Sequence, residues 1–245
     1  MTDKVPKCLL PIQGKPILEI WLENLGKCGI DEVMINTHHL SAQVEEFVHQ
    51  NQKRPSWPHI YMFFEPCLLG SGGTVLKNRD FVSTDEEFLI IYADNLTDMD
   101  IHRMIQYHRR HDGILTMGLF ESATPEACGI VEIIKKDKDG GLIIGFEEKP
   151  EHPKTNLANA GIYIANRRIF NFFPKRKWRK NAYGERTTED ILDFGHHVLP
   201  NLIGNMYGYI LDSWLIDIGT FENYELAQRR WLNPLYARRG MNTDH

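Results

Sequence analysis

Apolar residues along the chain follow two alternating periods, and each period predicts a different element. A helical spacing occurs at Ile17, Trp21, Leu25 and Cys28, with Gly29 placed to end the helix. Short apolar runs between polar residues predict strands instead. The strands predicted in this way are 32–36, 60–64, 88–95, 114–120, 160–165 and 206–211. Strand and helix therefore alternate, which is typical of a doubly wound, mostly parallel Rossmann-like α/β sheet.

Further helices are predicted between these strands from apolar spacing and from residues suited to helix ends. They are a helix capped by Ser41 with Val44, Phe47 and Val48 inward, helices 75–78, 101–111 and 168–173, a helix opened by the pattern Thr187 to Asp190, and a terminal helix capped by Thr220 with Tyr224, Ala227 and Trp231 inward.

The pattern becomes β-rich between Gly129 and Ala165. Residues 129–135 and 142–147 are joined by Asp137 to Gly141, a turn signal that predicts a hairpin. The chain length suits one large domain. We therefore expect a single domain over residues 1–245 that carries a small β-rich subdomain at about 129–165.

The run FLIIYADN, Phe88 to Asn95, predicts a strand buried on both faces, with Asp94 at its carboxyl end. Ligands of open parallel sheets lie beyond the carboxyl ends of strands, so Asp94 is well placed to hold a cation. The alternative is that Asp94 caps the next helix, although Asp98 and Asp100 can also do so. We favour the metal-ligand interpretation.

Two further patterns are candidates for chemistry. Asp217 lies between Ile216 and Ile218, and a carboxylate buried in an apolar run is expected to have a partner or a metal. The glycine-rich stretch Leu69 to Thr74 precedes a predicted helix, where free backbone N–H groups favour an anionic or electron-rich ligand. This stretch matches neither the Walker A nor the G-x-G-x-x-G pattern, so a simple tight turn remains the alternative.

Composition narrows the class of partner. The chain has 28 basic and 33 acidic residues and a pI near 6.1, so no overall charge draws it to nucleic acid or to an anionic membrane. Any phosphate must be bound by local groups. The four cysteines form no C-x-x-C pair, which argues against a zinc site and a disulfide framework. Without an apolar stretch of membrane-spanning length or a signal-peptide core, the expected location is the cytoplasm.

Other candidate sites are weaker. The histidine pairs 38–39 and 196–197 are adjacent in sequence, so their side chains point in different directions. His108 and His111 share a predicted helical face but lack a third ligand. The basic run Lys175 to Lys180 is more typical of a solvated loop than of a phosphate site, and the G-x-S-x-G motif of serine hydrolases is absent.

Five motifs, in order and over essentially the whole chain, resemble those of the sugar-phosphate nucleotidylyltransferases, the enzymes that make nucleotide sugars. The matching residues are Val5–Ile12 with Gly14–Pro16 (P-K…P-x-x-G-K-P), Leu69–Gly73 (L-G-T-A-G), Asp94, then Gly129 with Glu148–Pro150 and Asn159–Gly161, and Trp214 with Asp217–Thr220. Each motif alone is a weak signal, whereas five in order are specific.

The resemblance implies transfer of a nucleoside monophosphate from an NTP to a sugar 1-phosphate, with release of pyrophosphate. It implies that Asp94 and Asp217 hold Mg²⁺ and that Lys7 neutralises the α-phosphate region. The residues it assigns to the nucleotide are Leu69, Gly70, Ser71, Gly72 and Gly73. Those it assigns to the sugar phosphate are Gly129, Glu148, Lys149, Asn159 and Gly161.

One departure from the family leaves alternatives open. The family's strand and G-x-G-T-R loop, which hold the triphosphate, precede the P-K segment, whereas this sequence starts just after them. A start codon assigned too far downstream is favoured over a truncated relative, because the remaining core and site residues are intact. A non-catalytic nucleotide-sugar sensor or regulatory subunit is the alternative function. A glycosyltransferase is weaker, because Ala93 to Leu96 contain no D-x-D motif.

The motifs favour GTP only slightly over dTTP or UTP, through a likeness to guanylyltransferases for mannose or heptose phosphates. Whether the protein forms a homo-oligomer is left open. The sequence stops after its terminal helix without a hexapeptide-repeat segment, so acyltransferase activity is not expected.

Overall fold

The structure is a computed structural model that describes residues 4–82, 87–175 and 191–231. The basic run from Arg176 onward and the helix start predicted at Thr187 to Asp190 lie outside these residues. In chain order the strands and helices are β1 (Pro11–Ile12), β2 (Lys15–Pro16), α1 (Ile17–Lys27), β3 (Glu32–Thr37), α2 (Ser41–Asn51), β4 (His59–Phe64), α3 (Ser71–Lys77), β5 (Glu87–Ile91), β6 (Asn95–Thr97), α4 (Ile101–His108), β7 (Leu115–Glu121), β8 (Gly129–Lys135), β9 (Gly140–Glu148), β10 (Leu157–Asn166), α5 (Phe194–His197), β11 (Met206–Ile210), β12 (Leu215–Asp217) and α6 (Phe221–Arg230). Short 3₁₀ helices occur at Lys7–Leu9, Pro125–Ala127, Arg167–Phe172 and Leu199–Leu202.

The described chain divides into two compact units. The first contains residues 4–64, 92–102 and 212–231, and the second contains 65–82, 87–91, 103–175 and 191–211. The predicted β-rich segment 129–165 falls wholly within the second unit. The single catalytic domain expected from the sequence stays a prediction. None of the described helices is long and apolar enough to cross a membrane.

The first unit is built around α1, which confirms the helix predicted there. Its apolar face is buried, and Gly29 follows its end with φ +76°, a conformation that favours glycine. The parallel strands β3 and β4 pair from Glu32↔His59 to Thr37↔Phe64. One core cluster of this unit comprises Leu18, Leu22, Val44, Val48 and Trp57, with Phe47 packed against it.

The same unit holds the antiparallel pair β6–β12, whose register places Asn95 opposite Asp217. The buried indole of Trp21 donates a hydrogen bond to the Asn95 carbonyl at 2.8 Å, so α1 anchors β6. Helix α6 is capped as predicted, because the Thr220 hydroxyl accepts the Asn223 N–H at 3.2 Å. The Tyr224 hydroxyl donates to the Pro11 carbonyl at 2.7 Å, which ties α6 to β1.

The second unit contains a six-stranded mixed sheet in the order β5-β10-β7-β11-β9-β8. Only β7 and β11 run parallel within it; the other neighbours are antiparallel. The fold is therefore mixed α/β, but the mostly parallel sheet is not confirmed. Strands β8 and β9 are joined by a short turn, which permits only antiparallel pairing, and β10 also runs antiparallel to β5, β7 and β8.

The strand predicted at 88–95 is wrong in length and burial. Strand β5 ends at Ile91, all five of its residues are only half-buried, and it lies at an edge of the sheet. Residues 92–94 leave it, and Asn95 begins β6. The apolar run is divided because β5 pairs with β10, whereas β6 pairs with β12 in the other unit.

Some helix ends also differ from prediction. Ser41 is the first residue of α2 rather than its cap, which is Leu40 with φ +52° and no side-chain hydrogen bond. Helix α3 begins at Ser71, inside the glycine-rich stretch, and α4 ends at His108. The helix predicted at 168–173 is a 3₁₀ helix.

His108 and His111 do share one face, but their partner is a hydroxyl. His108 Nδ1 and His111 Nε2 lie 2.8 and 2.9 Å from Thr116 Oγ1, and His111 stacks on Tyr207 at a centroid distance of 3.9 Å. The Gly113 N–H donates to His111 Nδ1 at 3.0 Å, so that nitrogen is an acceptor. Burial, and secondly His108, lower the pKa of His111 from 6.5 to about 4.

This histidine predicts a pH dependence of stability. Because the pKa of His111 is lower in the folded state, the unfolded chain binds an extra proton between about pH 6.5 and 4. Stability should therefore be full above pH 6.5 and fall with acidification across this window, by at most about 1.4 kcal/mol per pH unit for one proton. Urea unfolding at several pH values should show a shallower fall for His111→Gln.

His152→Gln, at an exposed position, controls for the loss of a histidine as such. Equal slopes for His111→Gln and the unmutated protein would show that His111 does not cause the effect.

Candidate active site

Three residues predicted to act together meet within the first unit. Lys7 begins a 3₁₀ turn after Pro6, Asp94 lies in the turn before β6, and Asp217 ends β12. The Ile218 N–H donates to the Asp94 carbonyl at 3.1 Å, and Asn95 pairs with Asp217. Two acids that are far apart in the sequence are thus neighbours because β6 and β12 are paired.

The side chain of Lys7 lies beside these two acids. Its Nζ lies 3.5 Å from Asp94 Oδ2, with 43% and 31% of the two side chains exposed. The Asp217 Oδ1 accepts the Gly219 N–H at 2.5 Å. Asp217 is exposed, contrary to the expectation of a buried carboxylate, although Ile216 and Ile218 beside it are buried. Successive side chains of a strand point to opposite faces, so burial of the Ile216 side chain places Asp217 on the other face of β12.

Two groups of this region have raised pKa values, mainly because they are partly removed from water. Partial loss of hydration, and secondly the Asp94 carboxylate, raise the pKa of Asp217, and the nearby Lys7 only partly offsets this effect. Burial raises the pKa of the Cys8 thiol to about 11, with a smaller contribution from Asp94. Two carboxylates that repel each other are stabilised by a cation between them.

The donor set fits Mg²⁺. Asp94 and Asp217 offer hard oxygen ligands, and no cluster of three or more histidine, cysteine or acidic residues suited to a metal occurs among the residues described. Mg²⁺ is commonly bound by one or two carboxylates, with water and substrate phosphates completing its shell. A zinc centre is usually built from several nitrogen or sulfur ligands, which the pair of Asp94 and Asp217 does not offer. All four cysteines are free thiols.

A second group of predicted residues lies within the second unit, around the glycine-rich loop Leu69 to Gly73. Gly70 has φ +79°, and an added Cβ would lie 2.7 Å from the Leu192 carbonyl oxygen, so only glycine suits this position. The Gly73 N–H donates to that carbonyl at 2.9 Å, and the Leu192 N–H donates to Leu69 at 2.8 Å. The Gly73 N–H is therefore not free for a ligand, contrary to the expectation for this loop.

Glu65 was missed by the sequence analysis and supports this loop. It is buried and accepts hydrogen bonds from the Thr74 hydroxyl at 2.6 Å and from the Leu69 N–H at 3.3 Å. One carboxylate thus holds both ends of the glycine-rich stretch. Burying a charge is costly unless it is hydrogen-bonded, which explains why Glu65 bonds to the loop. In the sequence, the available signal was the position of this acid just before Pro66 and the glycine-rich stretch.

Gly129, Glu148 and Lys149 come together where β8 begins and β9 ends. Gly129 pairs with Glu148, and the Lys149 N–H donates to the Cys128 carbonyl at 3.0 Å. A Cβ at Gly129 would lie 2.7 Å from Glu148 Oε2. Lys149 is exposed and has φ +51°, a strained conformation for a residue with a side chain.

Asn159 and Gly161 lie in an irregular part of β10. The register with β7 shifts between Asn159 and Tyr163, and Gly161 has φ +66°. The side-chain Nδ2 of Asn159 donates to the Tyr163 hydroxyl at 2.7 Å, and its side-chain Oδ1 accepts the Gly161 N–H at 3.0 Å. Asn159 thus fixes the bulge, a role that the sequence did not indicate.

Comparison with known proteins places this arrangement in a family. The family model for nucleotidyl transferases matches residues 1–233. The UTP–glucose-1-phosphate uridylyltransferase of Synechocystis sp. is 28% identical over 244 residues, which cover 94% of this chain and 58% of that protein. The D-glycero-alpha-D-manno-heptose 1-phosphate guanylyltransferase of Aneurinibacillus thermoaerophilus is 29% identical over 231 residues, which cover 94% of this chain and 90% of that protein.

The chain spans about three fifths or less of the length of several other curated relatives, among them a glucose-1-phosphate adenylyltransferase of Clostridium botulinum, of which it covers 60%. Solved structures share the fold. HddC from Yersinia pseudotuberculosis matches with a TM-score of 0.72 at 21% identity, over 93% of this chain and 90% of that one. A putative glucose-1-phosphate thymidylyltransferase from Bacillus anthracis matches with a TM-score of 0.74 at 23% identity, over 100% and 91%.

The resemblance drawn from the motif order is therefore confirmed, and these relatives are named for the transfer of a nucleotide to a sugar 1-phosphate. On the match over residues 1–233, this chain belongs to the nucleotidyl transferase family.

Proposed function

We propose that this protein transfers a nucleoside monophosphate from an NTP to a sugar 1-phosphate in an Mg²⁺-dependent reaction. A phosphate oxygen of the sugar 1-phosphate attacks the α-phosphorus of the NTP, and the bond to the leaving pyrophosphate breaks. The observation that carries the proposal is the meeting of Lys7, Asp94 and Asp217 within one unit of a chain of this family.

In this proposal Asp94 and Asp217 hold Mg²⁺, which supplies neutralisation of the phosphate charges when bound. Lys7, beside Asp94, neutralises charge at the α-phosphate as the pentavalent centre forms. The short, hydrogen-bonded β6–β12 pair fixes both acids before substrate arrives, so that little reorganisation is needed during the reaction.

The proposal assigns the two organic groups to the second unit. The loop Leu69 to Gly73 lets a nucleobase approach the backbone closely. Lys149 holds the sugar phosphate, and Glu148 with Asn159 binds sugar hydroxyls. Gly129 and Gly161 shape the backbone around these residues. Gly129 leaves room for the Glu148 carboxylate, and Gly161 adopts a positive φ.

For the base we propose GTP ahead of UTP or dTTP. The heptose 1-phosphate guanylyltransferase is matched over 90% of its length, whereas the uridylyltransferase is matched over 58% of its length. The cytoplasm is the proposed location. The direct test is pyrophosphate release from the purified protein with Mg²⁺, each of the four NTPs and a panel of sugar 1-phosphates. Tight calorimetric binding of a nucleotide sugar without any pyrophosphate release would instead support a sensor.

Removing either acid should abolish most of the activity. Asp217→Asn and Asp94→Asn each keep the side-chain shape but remove a charge that Mg²⁺ needs, so we expect kcat to fall about 10²-fold or more. Steady-state pyrophosphate release at saturating Mg²⁺ measures this effect. Asp80→Asn, at an 87% exposed side chain, is the charge-matched control. Unchanged activity in Asp217→Asn would remove that residue from the mechanism.

Lys7 should affect metal affinity and turnover in opposite directions. Its ammonium competes with Mg²⁺ for Asp94 from 3.5 Å, so Lys7→Met should lower the Mg²⁺ concentration needed for half-maximal rate. The same change should reduce kcat by about 10²-fold, because a positive charge at the α-phosphate is lost. A magnesium titration of the rate measures both quantities, with Lys7→Arg as the charge-retaining comparison. A parallel fall in affinity and turnover would contradict this role.

Lys149 should show a trade between stability and binding. Lys149→Gly removes the strain of φ +51° and should raise the free energy of unfolding by about 1 kcal/mol, while Lys149→Met keeps the strain. Both variants lose the cation, so both should raise KM for the sugar 1-phosphate by about tenfold. Thermal unfolding and kinetics on the two variants separate the effects. An unchanged KM in both would exclude Lys149 from sugar-phosphate binding.

A further inference from the structure

A single segment of the second unit, Leu192 to Gly195, contacts both the glycine-rich loop and Glu148. On one side its backbone exchanges hydrogen bonds with the loop, from Gly73 N–H to Leu192 O and from Leu192 N–H to Leu69 O. On the other side Gly195 lies against the Glu148 carboxylate. No motif of the sequence marked this segment as part of a site.

Ser71 and Asp193 make the side-chain connection between the segment and the loop. The Ser71 hydroxyl donates to Asp193 Oδ2 at 3.2 Å and accepts the Phe194 N–H at 2.9 Å. The second oxygen of the same carboxylate, Asp193 Oδ1, accepts the His196 N–H at 2.8 Å and so caps α5. Asp193 therefore ties the segment's own turn to the first residue of α3.

The Glu148 carboxylate can lie close to the segment because residue 195 is a glycine and has no side chain. A Cβ added at Gly195 would lie 2.5 Å from Glu148 Oε2 and 3.2 Å from Asp193 Oδ1. Gly195 thus lies close to both carboxylates, and a side chain there would displace the Glu148 carboxylate. The Glu148 carboxylate therefore borders the segment whose helix Asp193 caps.

We propose that Asp193, through its hydrogen bond with Ser71, is a positioning residue that sets the glycine-rich loop and Glu148 relative to each other. The inference rests on the proposed function, in which the loop binds the nucleobase and Glu148 binds the sugar. Its consequence is that one carboxylate, to which the proposed function assigns neither substrate, controls the affinity for both.

The negative charge of Asp193 also affects the protonation of Glu148. Burial, and secondly the Asp193 carboxylate, raise the pKa of Glu148, whereas His196 and Lys149 act in the opposite direction. An ionised Glu148 is the better acceptor for sugar hydroxyls. KM for the sugar 1-phosphate should therefore rise as pH falls through the raised pKa, and Asp193→Asn should move this rise to lower pH.

The first test is hydrogen exchange on the full-length protein, read in peptides that cover 69–77 and 145–149. Ser71→Ala breaks the connection and should speed amide exchange in both peptides, by about tenfold at Gly73, whose N–H bonds to Leu192. Ser71→Thr keeps the hydroxyl and should restore the original rates. Asp137→Asn is the matched control, because Asp137 also caps a turn, accepting the Asp139 and Gly140 N–H groups at 2.8 and 3.1 Å.

The second test is kinetic. Ser71→Ala should raise KM for the NTP and for the sugar 1-phosphate together, by about tenfold each, with a smaller effect on kcat. Its pH profile should keep the acid limb of the unmutated protein, because the Asp193 charge is still present. Asp193→Asn should shift that limb, and Asp137→Asn should change neither quantity.

Unchanged exchange at 145–149 in Ser71→Ala, or a change in KM for only one substrate, would overturn the proposal. So would an acid limb that does not move in Asp193→Asn. If Asp193→Asn fails to fold, the Ser71→Ala and Ser71→Thr pair still decides the connection. A native protein that releases no pyrophosphate from any substrate pair would defeat the proposed function, and exchange alone would then decide whether the segment links the loop to Glu148.

Discussion

The antiparallel pairing of β6 with β12 is the contact on which the candidate metal site depends. Each strand has only three residues, yet the pairing sets Asn95 opposite Asp217 and bonds the Asp94 carbonyl to Ile218. Two short strands would not be stable alone. The buried hydrogen bond from Trp21 to Asn95 supplies the support, because it fastens β6 to the well-packed helix α1.

This pairing has an electrostatic cost. Two carboxylates are brought together, and one nearby ammonium, that of Lys7, does not neutralise both. Such an arrangement is less stable without a cation than with one, which is the usual property of a site built for function rather than for stability. In the proposed function this cation is Mg²⁺, because an oxygen-only donor set suits hard divalent cations. The chain that carries this acid pair belongs to the nucleotidyl transferase family.

In the second unit, the candidate binding residues are held together by close contacts between backbone segments. A Cβ at Gly70 would lie 2.7 Å from the Leu192 carbonyl oxygen, so the loop and the 192–195 segment approach this closely only with glycine there. A Cβ at Gly195 would lie 2.5 Å from Glu148 Oε2 and would displace that carboxylate. The Ser71 hydroxyl donates a hydrogen bond to Asp193 across the same contact. Lys149, held at a positive φ beside Glu148, adds strain at the same place.

The sequence by itself determined the elements whose signals are local. Helix α1, strands β3 and β4, the β8–β9 hairpin and the Thr220 cap follow from apolar period, turn residues and capping, which act over a few residues. Motif order identified the family. Tertiary structure alone decided the mixed strand directions, the division of 88–95 between β5 and β6, the exposure of Asp217 and the connection of Ser71 to Asp193. Each of these depends on hydrogen-bond partners far away in the chain, and no local pattern specifies which distant segment will supply them.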